Sequence, residues 1–168
     1  MSIPTEFEEK MNIFIKEKNP DVSQGVDIGI KIEKMGIDFY TKSAEKAGED
    51  VRHVFTFLAK QETQHLSLLK ELKNSLIEND RWKEPGAMKS CGRIPKIFSK
   101  SKKYDYEISA MLHALEAERL SKKFYSNFAK KIKNPDGKRF FEKMAEFEEK
   151  HLELIKAILD SENFRMQS

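Results

Sequence analysis

Hydrophobic residues recur along most of the chain at alternating spacings of three and four residues. This period places side chains on one face of an α-helix. It predicts a short N-terminal amphipathic helix and four long helices, at about residues 5–18, 22–46, 51–78, 104–133 and 138–160. The segments between them contain Pro or Gly, which interrupt helices: Asn19-Pro20, Ala47-Gly48-Glu49-Asp50 and Asn134-Pro135-Asp136-Gly137. The pattern therefore predicts an all-α protein.

The connections between the long helices indicate their arrangement. Helices one and two, and helices three and four, are separated by short breaks, which predicts two antiparallel hairpins. Residues 81–103 join the hairpins and could extend over ~75 Å, against ~40 Å for a long helix. A four-helix bundle with one such long crossover is ferritin-like. The predicted organisation is an N-terminal segment over 1–20, the bundle over 21–161 and a tail over 162–168.

Composition excludes several classes of protein. The 168 residues include 35% charged residues but only 7 Gly and 5 Pro, which suits helices. The longest stretch without Asp, Glu, Lys or Arg is 108–115, well short of the ~20 residues of a membrane span. The single cysteine, Cys91, excludes an intramolecular disulfide. Without a signal-like N-terminus we expect a soluble, cytoplasmic protein, and the net charge of +3 indicates no particular partner.

On each of the four long helices, the residues predicted to face the core form a stripe. Each stripe is apolar at its ends and carries acidic groups near its middle. The stripes are Val22, Val26, Ile30, Glu33, Ile37, Tyr40, Ala44; Val51, Phe55, Leu58, Glu62, His65, Leu69, Leu72, Leu76; Ile108, Met111, Leu115, Glu118, Ser121, Tyr125, Ala129, Ile132; and Phe141, Met144, Glu148, His151, Ile155, Ile158. An unpaired core carboxylate costs several kcal/mol. Salt bridges without a metal are one solution, but no Lys or Arg lies on the stripes. A cation cluster is the more economical partner.

The two halves of the chain repeat these residues. The run Phe55-x-x-Leu58-Ala59-x-x-Glu62-x-x-His65 recurs 86 residues later as Phe141-x-x-Met144-Ala145-x-x-Glu148-x-x-His151, and Glu33 with Phe39-Tyr40 recurs 85 residues later as Glu118 with Phe124-Tyr125. Glu and His three residues apart share a helix face and can reach one metal centre. Four carboxylates and two imidazoles suit iron or manganese, whereas zinc sites more often contain thiolates.

At these residues the chain resembles the rubrerythrins and other ferritin-like di-iron proteins, over about Val22 to Asp160. The resemblance implies two iron ions, with manganese as the alternative. It implies bridging roles for Glu62 and Glu148, terminal roles for Glu33 and Glu118, and nitrogen ligation by His65 and His151. It also implies that the hydroxyls of Tyr40 and Tyr125 bond to ligand carboxylates from across the bundle and orient them.

The resemblance further implies an oxidoreductase of oxidative-stress defence, working as a homodimer, that reduces H₂O₂ or O₂ or oxidises Fe(II). Rubrerythrins proper carry a rubredoxin domain with four cysteines, which Cys91 alone cannot form, so a separate electron donor such as rubredoxin is expected. Typical members also have an additional glutamate, tied to peroxide reduction, where this chain has Ser121. The alternatives are iron binding or storage without turnover, and a metal-free helical interaction module.

Three features lie outside this pattern. His53 and His113 are expected at the surface. Residues 89–103 contain six basic and no acidic residues, which favours a solvated loop over a patch for nucleic acid or an acidic partner. The helix over 5–18 is expected either to cover the bundle or to mediate self-association.

Overall fold

The computed structural model describes residues 5–14, 16–79, 81–82 and 105–161. All of the regular elements in these ranges are helices: α1 (Thr5–Phe14), α2 (Val22–Lys46), α3 (Glu49–Asn79), α4 (Asp105–Lys131) and α5 (Pro135–Leu159). Helix α2 packs along α3, α4 packs along α5, and α2 also contacts α4. The predicted all-α, ferritin-like bundle is confirmed. None of the helices in the described ranges is long and apolar enough to cross a membrane.

Some predicted features lie outside the described residues. They are most of the crossover over 81–103, including Cys91 and the basic run 89–103, and the tail over 162–168. The side chain of Phe7 on the N-terminal helix is also outside the described residues.

Two helix boundaries differ from the prediction because of local capping. Asn134 accepts hydrogen bonds from the backbone N–H groups of Asp136 (2.9 Å) and Gly137 (3.1 Å), and Pro135 is the first residue of α5. Proline is favoured at that position because its missing N–H would be unpaired anyway. The predicted turn 134–137 is therefore the start of α5. Helix α3 likewise begins at Glu49, since the carbonyl of Gly48 accepts hydrogen bonds from the backbone N–H groups of Val51 (3.1 Å) and Arg52 (2.9 Å).

The N-terminal helix is shorter than predicted and ends at Phe14 instead of Lys18. Its buried residues Met11 and Phe14 belong to the core of the bundle. The ring of Phe14 lies 5.4 Å from that of Phe128 and 6.2 Å from that of Phe124. Of the two expected roles for this helix, covering the bundle is the one that these contacts support.

The buried face of α2 is displaced from its predicted stripe. The predicted members Ile30, Ile37 and Ala44 are only half-buried, whereas Ile32 and Ser43 are buried. Helices α2 and α4 also approach each other closely at Gly25. A Cβ atom on Gly25 would lie 2.1 Å from the ring of Phe128, so only glycine admits that ring.

The apolar core consists of two clusters with a polar layer between them. One cluster is packed around Val26, Leu69 and Phe141, and the other around Phe55 and Ile155. On every long helix the residues of the polar layer fall between members of the two clusters. They are the buried side chains of Glu33, Glu62, His65, Glu118, Glu148 and His151.

Candidate metal centre

The four helices bring all six predicted ligand side chains into the polar layer. Helices α3 and α5 each contribute a Glu and a His one turn apart, and α2 and α4 each contribute one Glu. None of the six is more than 3% exposed. Burial of six ionisable groups in a bundle core is unfavourable unless they have a common partner.

The two imidazoles face the carboxylates through their Nδ1 atoms. Nδ1 of His65 lies 3.0 Å from a carboxylate oxygen of Glu62, 3.3 Å from one of Glu148 and 3.4 Å from one of Glu33. Nδ1 of His151 lies 3.4 Å from Glu62, 3.4 Å from Glu118 and 3.9 Å from Glu148. Glu62 and Glu148 thus face both imidazoles, whereas Glu33 faces His65 and Glu118 faces His151.

Both predicted tyrosines contact the layer from across the bundle. The hydroxyl of Tyr40 on α2 donates to Glu118 on α4, and the hydroxyl of Tyr125 on α4 donates to Glu33 on α2. Both rings are buried. The two bonds fix the orientation of the two carboxylates that face only one imidazole each.

The donor set fits a metal cation. Oxygen or nitrogen atoms of Glu62, His65, Glu148 and His151 all lie within 4.8 Å of one another, and this is the metal-competent group among the described residues. Four side-chain atoms of the layer are buried without a hydrogen-bond partner in the described part of the chain: Oε2 of Glu118, Oε1 of Glu148, Nδ1 of His151 and Nε2 of His65. Buried polar atoms without a hydrogen bond are costly, and a cation would bind the two carboxylate oxygens and the Nδ1 nitrogen.

Protons take the place of cations in the metal-free protein. Burial, with the nearby charge of Glu62, raises the pKa of Glu33 to about 8. Burial and the neighbouring carboxylates also raise the pKa of Glu148. Burial acts to raise the pKa of Glu62 too, but the imidazoles of His151 and His65 outweigh it and hold that pKa well below its usual value.

The histidines show the opposite balance. Burial alone would lower the pKa of His65, but hydrogen bonds and charge from Glu33 and Glu62 raise it to about 10. The pKa of His151 is likewise raised against its burial, chiefly by Glu118 and Glu62. The metal-free layer thus holds protonated imidazoles near neutral pH.

The ion-pair partners described for the carboxylates of the layer are the two histidines. Lys122 on α4 pairs with Glu149 on α5. Among the described residues, the ion pairs shown for the four carboxylates are all with His65 and His151. Outside the layer, His53 and His113 are exposed, as predicted.

Three residues beside the layer were absent from the prediction. A Cβ on Gly36 would lie 3.2 Å from Cγ of Glu62, so this glycine gives the carboxylate its space. Phe147 stacks on the ring of His65, with centroids 5.1 Å apart. Gln61, also buried, occupies the position that the 86-residue repeat pairs with Phe147. The sequence did contain a sign of this role for Gly36. It lies inside a helix, where glycine is unfavourable, and seven residues after another such glycine, Gly29.

Comparison with protein families agrees with this architecture. The Rubrerythrin family model matches residues 4–76 and 110–167. The chain therefore belongs to the rubrerythrin family, a class defined here by a ferritin-like bundle with a buried Glu/His cluster. Comparison with curated proteins and with solved structures gives no match.

Proposed function

We propose that the chain is a di-iron oxidoreductase of the rubrerythrin type. Six side chains hold the two ions: Glu33, Glu62, His65, Glu118, Glu148 and His151. Glu62 and Glu148 are the two central carboxylates of this set, since each faces both imidazoles. Glu33 with His65 and Glu118 with His151 complete the two halves. Iron is favoured over manganese by the family, and both metals accept this mixed oxygen and nitrogen set.

The observation that carries the proposal is the excess of buried carboxylates in the layer, with four glutamates against two histidines. The ion pairs described for these carboxylates are all with His65 and His151. Two imidazolium groups offset only two carboxylate charges, whereas two divalent cations offset all four.

When bound, a ferrous pair supplies the two electrons that reduce one H₂O₂ to water, or that pass to O₂. The chain positions the ligands for this. Tyr40 and Tyr125 hold Glu118 and Glu33 in fixed orientations. The apolar clusters on both sides of the layer exclude bulk water from it. A separate donor such as rubredoxin restores the electrons. Dimerisation and cytoplasmic location stay predictions from the sequence.

Iron binding without turnover is the second candidate, and Ser121 is the observation that favours it. Its hydroxyl donates to the carbonyl of Ala117 (3.1 Å) one turn back on α4. The side chain supplies no carboxylate at the position where typical rubrerythrins have an additional glutamate. Peroxide reduction therefore has to proceed here without that group.

The two candidates differ in the fate of bound Fe(II). The metal-free protein is loaded anaerobically with two equivalents of Fe(II), mixed with H₂O₂ or with aerated buffer, and the remaining Fe(II) is measured with a ferrous chelator. A redox enzyme oxidises the bound iron faster than the protein-free solution does. If the chain binds two equivalents of Fe(II) but oxidises them no faster than the protein-free solution does, iron binding without turnover is the function. The Glu62→Ala/His65→Ala double variant is the matched control.

A further inference from the structure

The two halves of the metal centre are related by the internal repeat but have different surroundings. The repeat places Glu62 and His65 on α3 in the positions of Glu148 and His151 on α5. The residue just before the glutamate is Gln61 on α3 and Phe147 on α5. Both are buried. One half of the repeat therefore has a polar amide where the other has an aromatic ring.

Phe147 lies against His65. The two rings are nearly parallel, with an interplanar angle of 13° and centroids 5.1 Å apart. Nε2 of His65 is buried and has no hydrogen-bond partner in the described part of the chain. Because Nδ1 of His65 faces the carboxylates, a neutral His65 ligand carries its proton on Nε2. That N–H then has no acceptor among the described residues.

The metal-facing nitrogens are also unequal. Nδ1 of His65 is hydrogen-bonded to Glu62 at 3.0 Å, so a cation there must replace an existing bond. Nδ1 of His151 has no hydrogen bond in the described part of the chain, and its nearest carboxylate oxygens, on Glu62 and Glu118, lie farther away at 3.4 Å. Both differences act in the same direction. Metal-ligating histidines normally donate their second N–H to an acceptor, and loss of that acceptor costs roughly 10- to 100-fold in affinity.

We infer that the two halves bind metal unequally: the half around His151 and Glu118 fills first, and Phe147 makes the half around His65 and Glu33 the weaker one. This inference rests on the proposed function. Phe147 is a positioning residue, since it acts through the ring of His65. The expected difference between the two binding steps is about 10- to 100-fold.

The test is a titration of the metal-free chain with Co(II) as the probe, followed by its visible absorption and by calorimetry. Two steps of one equivalent each are expected. His65→Ala should keep the tighter step and His151→Ala should lose it. Phe147→Gln should tighten the weaker step, and Gln61→Phe should weaken the tighter one. Phe140→Leu, which replaces a buried ring in edge-to-face contact with Phe141, should leave both steps in place.

The outcomes separate this inference from the function on which it rests. Two equal steps, or loss of the tighter step in His65→Ala, would overturn the inference and leave the metal centre standing. No binding of Co(II) would overturn both. If Phe147→Gln fails to fold, as judged by circular dichroism, the comparison of His65→Ala with His151→Ala still decides.

Discussion

The hydroxyl of Tyr125 on α4 donates a hydrogen bond to the carboxylate of Glu33 on α2, and Tyr40 on α2 makes the reciprocal bond to Glu118 on α4. Each tyrosine thus orients a carboxylate on the other hairpin of the bundle. The pair links the position of two proposed ligands to the packing of α2 against α4. These bonds connect the stability of the fold with metal affinity.

Replacement of Tyr125 by Phe should weaken metal binding while it preserves the bundle. The change removes the one hydroxyl donor described for Glu33 and keeps the ring that stacks on Phe141 at 6.1 Å. We expect a roughly 10- to 100-fold loss of affinity, measured by competition with a chelator. Tyr106→Phe, on an exposed side chain, is the matched control. Equal affinities for the two variants would contradict the orienting role.

Metal should stabilise the native chain, and Glu148→Gln should abolish that effect. At a free metal concentration of 100 times Kd, binding adds about 2.7 kcal/mol, or roughly 5–10 °C in Tm for a chain of this size. Melting curves with metal and with excess chelator measure the shift. The control is Glu116→Gln, an exposed glutamate paired with Arg119. A wild-type Tm that is unchanged by metal would argue against the site.

Metal binding should release protons and strengthen as pH rises. The pKa of His65 is raised to about 10 by Glu33 and Glu62, so its proton is bound at neutral pH and a cation must displace it. The raised pKa of Glu33, about 8, acts in the same direction. Calorimetry in two buffers with different ionisation enthalpies measures the protons released. Affinity that is independent of pH between 6 and 8 would be inconsistent with this account.

Gly25→Ala should destabilise the fold, although alanine is the better helix former. The new Cβ would lie 2.1 Å from the ring of Phe128, which is itself packed against Phe14 and Phe141. Overpacking of this kind costs about 1–3 kcal/mol. Gly29→Ala meets its nearest neighbours only at 3.3 Å and should cost less. Urea unfolding of the two variants provides the comparison, and a more stable Gly25→Ala would show that α2 and α4 are less closely packed.

The sequence predicted the helices and the composition of the polar layer because both depend on helical spacing alone. Glu62 with His65, and Glu148 with His151, must share a face whatever the rest of the chain does. The same reasoning placed the start of α5 too late, since Asn134-Pro135 was interpreted as a turn and is a helix N-terminus. The preference of proline for the first position of a helix could have predicted that boundary.

Other features depend on how far the helices slide past one another, which spacing does not encode. The half-burial of Ile30 and Ile37 and the close contact of Gly25 with Phe128 are features of this kind. The stacking of Phe147 on His65 depends on the packing of α5 against α3. Such contacts can be found only in the three-dimensional structure. The contact of Phe147 with His65 distinguishes the two halves of the centre, which look symmetric in the sequence repeat.

The central claim is that the buried Glu/His layer holds two iron ions. Its most direct test is anaerobic titration of the metal-free chain with Fe(II), with the bound iron counted in wild type and in the Glu62→Ala/His65→Ala double variant. We predict two equivalents of iron in the wild type and a loss of binding in the variant, which remains folded. Failure of the wild type to bind iron, or equal binding by the double variant, would contradict the claim.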